Sequence, residues 1–290
     1  MIMIRLITIF FRLQLVQLRS AMEYRADFWI AAVGAILQQL VGIVFLVTFF
    51  GHVSSLGGWS LWQIAVLHGL VMTADGIREM FADGVWKLRA DVNTGSFDRV
   101  LVRPLPPALQ QVTALASIHG IGNAGLGVAV LIVGLTRSGL DWHWWTLSVL
   151  VIAVLCGTVL NTSISFLTNM IAFWEPSAQS AFPTFVALVR DFAKFPLDIY
   201  GAAVRVVVTV LLPYGLVSYF PSRLVLGIDA PPAWWAFTPL IAAALMLRSG
   251  GEPWPVALYI VGLCLVTVVV IGLWGQVRTR STEAPLPTTR

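Results

Sequence analysis

The sequence predicts an all-α, polytopic membrane protein with about six transmembrane helices, and three observations carry that prediction. Charged residues make up 11% of the 290 and apolar residues 58%, whereas a soluble domain carries about a quarter charged. Several runs reach the roughly 20 residues that a helix needs to cross a hydrocarbon core of about 30 Å, where every backbone polar group must be paired within the segment. Those runs are continuously apolar, while a transmembrane β-barrel would alternate apolar and polar residues in strands of about ten. The residues form one membrane domain, 1–280, with a polar, Pro-containing tail at 281–290 that is expected to be disordered.

Residues 1–26 begin like a signal peptide, but arginines recur at Arg5, Arg12 and Arg19 and no small-residue cleavage site follows. Those arginines are seven apart, so on a helix they fall within about 40° of one another. The expectation is an amphipathic helix on the membrane surface with this basic stripe toward lipid phosphates. A first span is expected over about 28–50, a Gly57-Gly58-Ser60 turn, and a second span over about 61–80. Residues 81–109 form the longest charged stretch and are broken by Gly95, Pro104, Pro106 and Pro107. A third span is expected over about 112–135, then a tight loop and Trp142, Trp144 and Trp145, which suit an interfacial belt, then a fourth span to about Phe173.

Beyond Glu175 the pattern weakens. Residues 177–196 have spanning length but include Arg190, Asp191 and Lys194, which a lipid-facing helix holds only at a cost. Five prolines punctuate 196–232, so 197–254 reads as an outer, re-entrant or interfacial region, with a piece at 234–247 too short to cross. The last clear span is expected over about 255–275. An eight-span alternative, in which 202–220 and 233–248 both cross, also keeps the two termini on one side. Counting Lys and Arg outside the spans, the amino-terminal stretch, the 81–109 loop and the tail together hold eleven and the opposite side four. The positive-inside rule therefore places both termini and the loop in the cytoplasm.

Several chemistries are missing from the residues. No G-x-x-x-x-G-K-[ST] occurs, and neither Lys87 nor Lys194 follows a glycine, so the chain has no phosphate-binding loop. It also lacks H-E-x-x-H and G-x-S-x-G, and its four histidines are scattered, so no catalytic residue and no metal site is expected. Cys156 and Cys264 lie inside apolar runs and read as core residues. Lys and Arg form no patch suited to nucleic acid. Asp75 and Glu79, with Arg78 between them, read as an interfacial cap near the cytoplasmic end of the second span.

The order of these elements, with Met22 to Phe28 before the first span, Gly95-Ser96-Phe97-Asp98-Arg99-Val100-Leu101-Val102-Arg103-Pro104-Leu105 in the loop, and Phe195 to Tyr200 followed by Leu212-Pro213-Tyr214 and Tyr219-Phe220-Pro221, resembles the permeases of type-2 ABC exporters. The similarity is to the bacterial branch in which two related permeases accompany a separate ATPase. Trp274 to Arg278 only partly echoes that family's ending, and residues 234–254 look inserted. The resemblance implies an exporter subunit in the bacterial plasma membrane, moving a drug-like, lipid or peptide substrate by alternating access. Its partners would be an ATP-binding cassette ATPase, in two copies, which holds ATP and magnesium, and a second permease, identical or related. It further implies that residues 84–107 couple to the ATPase, with Gly95 turning the chain, Asp98, Arg99 and Arg103 making polar contacts, and Pro104 ending the short helix. For Arg190, Asp191 and Lys194 two readings stay open, a locally neutralised patch near the outer boundary or the polar lining of the substrate path. The competing functions are an ion-coupled secondary transporter, for which Asp191 is the deep carboxylate in view, and a membrane scaffold or lipid-modifying enzyme.

Overall fold

A computed structural model describes residues 2–23, 25–174 and 181–228, and these form helices and connecting turns. The expected last span, the piece at 234–247, Cys264, the partial ending at 274–278 and the tail lie outside the described residues. Helix α1 covers Ile2–Glu23, α2 Arg25–Phe50 and α3 Leu61–Ala82. A loop of short helices follows, α4 Leu88–Asn93, α5 Asp98–Leu101 and α6 Pro107–Val112, before α7 His119–Arg137 and α8 Thr146–Asn169. Then come α9 Ala181–Arg190, α10 Ala202–Val206 and α11 Tyr219–Val225. Among the described residues three stretches are long and apolar enough to cross a membrane, Trp29–Phe50, His119–Arg137 and Thr146–Phe173. Helix α3 has the length, 22 residues, but carries Asp75, Arg78 and Glu79.

Each end of α3 is set by local chemistry. Gly57 and Gly58 take positive φ, 60° and 87°, and turn the chain back from α2. Ser60 then caps α3 in a capping box: its hydroxyl accepts from Gln63 N while its own N–H donates to Gln63 Oε1 at 2.9 Å. The third span starts later than the sequence suggests. Val112 ends α6, and residues 113–118 break the helix before His119.

The centre of the fold is a seam between α3 and α7, which run antiparallel. Gly69 and Gly76 on α3, and Gly120, Gly127 and Gly134 on α7, recur every seven residues. A Cβ placed on Gly69 would lie 2.6 Å from Leu131 N, one on Gly127 2.6 Å from Thr73 N, and one on Gly134 2.9 Å from Val66 N. Real Cβ atoms essentially never approach closer than 3.0 Å, so the two backbones touch across the seam. Between helices in lipid there is no hydrophobic drive, and close van der Waals contact of this kind takes its place. Helix α8 lies against the other side of α3, where Thr158 Oγ1 donates to Ala74 O at 3.1 Å. The outward face of α2, with Ile30 and Val41 each 71% exposed, is left for lipid.

Residues 202–225 form two short helical arms with a break between them. Ala202–Thr209 and Tyr214–Val225 meet at 72° around Pro213. Near the entry, Arg205 Nη2 donates to Asp198 O at 3.3 Å, and on the return Tyr219 OH donates to the Asp198 carboxylate at 2.8 Å. Asp198 also accepts from Trp59 Nε1 at 3.2 Å, beside the turn that opens α3. Val217 packs on Gly157 of α8. The break falls at a proline, as the sequence predicts, and each arm is too short to cross alone.

Candidate functional site

Two regions gather the polar chemistry: the loop after α3 and a cleft within the helices. In the loop, Asp83–Lys87 form a 3₁₀ turn that leads into α4. Gly95 takes φ 68° and reverses the chain. Two glutamines of α6 then hold the loop from inside. Buried Gln111 donates to Gly84 O at 3.0 Å, and buried Gln110 donates to Leu105 O at 2.8 Å and Val100 O at 3.0 Å. Ser96 Oγ donates to Asp91 Oδ1 at 2.9 Å, and Phe97 sets its ring edge-on to Phe173 at the end of α8, 5.0 Å between centroids. What remains outside is an apolar tip, Leu101 57% and Val102 83% exposed, with Asp98, Arg99, Arg103 and Pro104 exposed around it. The loop brings together every residue the sequence singles out there.

Helix α1 lies near the same end. Phe10 packs on Phe81, and buried Gln14 donates to Phe81 O. Arg5, Arg12 and Arg19 share this one helix, with Arg12 and Arg19 exposed.

The cleft, about 520 Å³, opens between α2, α3, α7 and the chain at 190–194. Ala35, Gln38, Gln39 and Gly42 line it from α2, at spacings that form one helix face. From α3 come His68, Val71, Met72, Asp75 and Glu79, and from α7 His119 and Asn123. Asp75 is the hub. Its Oδ1 accepts from Arg78 Nε at 2.9 Å, from Arg190 Nη1, and from Asn161 Nδ2 of α8 at 3.3 Å. Arg78, 3% exposed, also reaches Asp83 at 3.2 Å and Glu79 at 3.5 Å. Glu79 Oε2 accepts from Asn123 Nδ2 at 2.6 Å. Asp83 lies just past the last turn of α3, where burial raises its carboxyl pKa and the Arg78 guanidinium opposes that rise. Lys194 pairs with Asp191 at 2.9 Å.

Three corrections follow. Asp75 is no interfacial cap: it is 7% exposed and joined to a residue 115 positions away. Arg190 is not neutralised within its own stretch: it pairs with Asp75 of α3, while Asp191 and Lys194 pair with each other. Asp191 is not the deep carboxylate; its side chain is 48% exposed, and Asp75 holds that place. A buried carboxylate stays ionised only where several donors replace its water, which is what Arg78, Arg190 and Asn161 do. Gln38, Gln39, Asn123 and Asn161, polar residues inside apolar spans, are the signal that marks the cleft in the sequence. Cys156 is buried and free, as a core residue should be.

Compared with known proteins, residues 36–259 match a family model described as ABC-2 family transporter protein. No curated protein matches, and no solved structure does.

Proposed function

Since the chain belongs to the ABC-2 family of transporter proteins and is therefore a membrane permease, we propose that it is the exporting subunit of a complex powered by a separate ATP-binding cassette ATPase docked on the loop between α3 and α7. In this reading ATP and magnesium are held by two ATPase copies, and a second permease, identical or related, completes the path. The membrane is the bacterial plasma membrane, and both termini face the cytoplasm, as the distribution of Lys and Arg favours. The surface helix α1 rests its basic stripe on lipid phosphates. Arg190, Asp191 and Lys194, with Asp75 and Glu79, line the path of a drug-like, lipid or peptide substrate.

The observation that carries the docking is the loop's exposed tip. Leu101 and Val102 stand exposed between α3 and α7 on a loop braced by Gln110 and Gln111. An apolar centre ringed by Asp98, Arg99 and Arg103 has the composition of a protein interface. A subunit without nucleotide chemistry of its own must receive work through a stiff contact of this kind. The test is co-purification of the ATPase, with its turnover in the reconstituted complex, for Arg99→Glu and Arg103→Glu against Arg137→Glu at the opposite end of the bundle. Reversing a charge that is paired at an interface costs about 2 to 5 kcal/mol, more than tenfold in affinity, whereas an exposed loop charge is worth at most about 1 kcal/mol. Retention of the ATPase by both loop variants at the level of the control refutes the assignment and moves docking to another surface, first α1 around Arg12 and Arg19.

A further inference from the structure

We propose that the Glu79–Asn123 corner of the cleft binds the protonated amine of a transported amphiphile. The inference rests on reading the cleft as the substrate path. It starts from a charge shortage among groups already in contact. Three carboxylates, Asp75, Glu79 and Asp83, share two guanidinium groups. Asp75 takes both Arg78 and Arg190, and Asp83 takes Arg78 at 3.2 Å. Glu79 is left with Arg78 at 3.5 Å, the longest of these contacts, and with a neutral amide.

The amide supplies a second and independent observation. Asn123 is 7% exposed and lines the cleft. Its Nδ2 is committed to Glu79 at 2.6 Å, and its buried Oδ1 has no hydrogen-bond partner. A buried amide oxygen left unpaired costs about 1 to 3 kcal/mol. The corner therefore offers the Glu79 carboxylate with an unpaired amide oxygen behind it, while the N–H donors beside it, those of Arg78 and Asn123, are already committed to carboxylates. A primary ammonium group brings three donors on one compact charge. A quaternary ammonium brings charge without donors, and an anion brings neither. Among the described residues no group of His, Cys, Asp and Glu could hold a metal ion, which separates this corner from a divalent-cation site. The rest of the cleft agrees. Lys194 and Arg190 are already paired with Asp191 and Asp75, and Ala35, Val71 and Met72 offer an apolar wall to a tail.

The experiment uses the full chain in lipid nanodiscs with radiolabelled decylamine, and with decyltrimethylammonium and decanoate as competitors. Saturable binding is expected, displaced weakly by decyltrimethylammonium and not by decanoate. Glu79→Gln is expected to weaken it about tenfold or more, as the loss of a charged hydrogen bond implies. Glu79→Asp should retain most of it, Asn123→Ala should weaken it severalfold, and Asp141→Asn should leave it unchanged. Gel filtration checks that each variant is monodisperse, and if Glu79→Gln is not, Asn123→Ala decides. Absence of saturable binding, equal binding by wild type and the deciding variant, or equal displacement by decanoate overturns the proposal. The assay contains no ATPase, so amine binding can fail while docking on the loop holds, and the reverse.

Discussion

Alanine at Gly76 is expected to destabilise the fold, while alanine at Gly125 or Gly34 is not. A Cβ at Gly76 would run into Ala124 N, with Ala124 Cα at 2.7 Å and Gly120 O at 2.8 Å. All three atoms belong to backbone, so no side chain can swing away, and α3 and α7 must part by roughly 1 Å. A gap of that size forfeits about a quarter to a half of the dispersion well of each contact that it opens, and overpacking a tight interior costs about 1 to 3 kcal/mol. Against this stands a gain of about 1 kcal/mol, because alanine is the better helix former. The net for Gly76→Ala is a loss of about 1 kcal/mol. At Gly34 and Gly125 nothing lies within 4 Å of the added atom, so only the gain remains. The two kinds of variant should therefore differ by about 2 kcal/mol. The assay is denaturation of the purified chain in micelles by heat or by increasing sodium dodecyl sulfate, read as the fraction still monodisperse. If Gly76→Ala melts with Gly125→Ala, the helices are not in backbone contact and the seam does not hold the fold.

Removing the hub should cost more than removing one spoke. Asp75→Ala takes the carboxylate from Arg190 and leaves Arg78 with Glu79 and Asp83 alone, and is expected to lose about 3 kcal/mol or more, measured by the same denaturation; Arg190→Ala, which leaves Asp75 with Arg78 and Asn161, should lose less, and equal losses would deny Asp75 its central role. The sidedness of the chain can be read with single cysteines in a Cys156→Ala, Cys264→Ala background. Ser96→Cys should resist an impermeant thiol reagent in intact cells while Ser138→Cys reacts, and the opposite pattern would invert the topology.

The helices were legible because lipid imposes length and apolarity on each crossing segment, and α2, α7 and α8 obey it without exception. Helix α3 is legible too, but its role is not. Asp75, Arg78 and Glu79 sit within five residues of one another, and local spacing explains them as a cap. What decides otherwise is Arg190, whose distance along the chain carries no local signal. The start of α7 was misplaced for a related reason: Val112 to Ile118 is apolar enough to extend a span, and only its tertiary contacts, such as Ser117 N donating to Glu79 O, show that the helix is interrupted there. The seam is the opposite case. Glycine every seven residues on both α3 and α7 is visible in the sequence, yet it becomes meaningful only once the two helices are known to face each other. The loop between α3 and α7 needs least help, since Gly95 and the prolines specify turns by backbone chemistry alone.

The seam also fixes which parts of the cleft can move. Helices α3 and α7 carry the acidic wall, Asp75 and Glu79 on one and Asn123 on the other, and their backbones interlock so closely that they turn as a single plate. The loop is the handle of that plate, joined to both helices at the same end and stiffened by Gln110 and Gln111. A push on Leu101 and Val102, where the ATPase is proposed to dock, would therefore tilt the whole wall without reshaping it. The opposite walls are tied on more loosely: α2 rests where Ala32 and Ala35 meet Gly122, and the 190–194 segment is clasped by the ionic bonds of Arg190. Any change in the width of the cleft must then come from those two pieces riding against the plate, and the Arg190–Asp75 clasp is the bond that such a movement loads first.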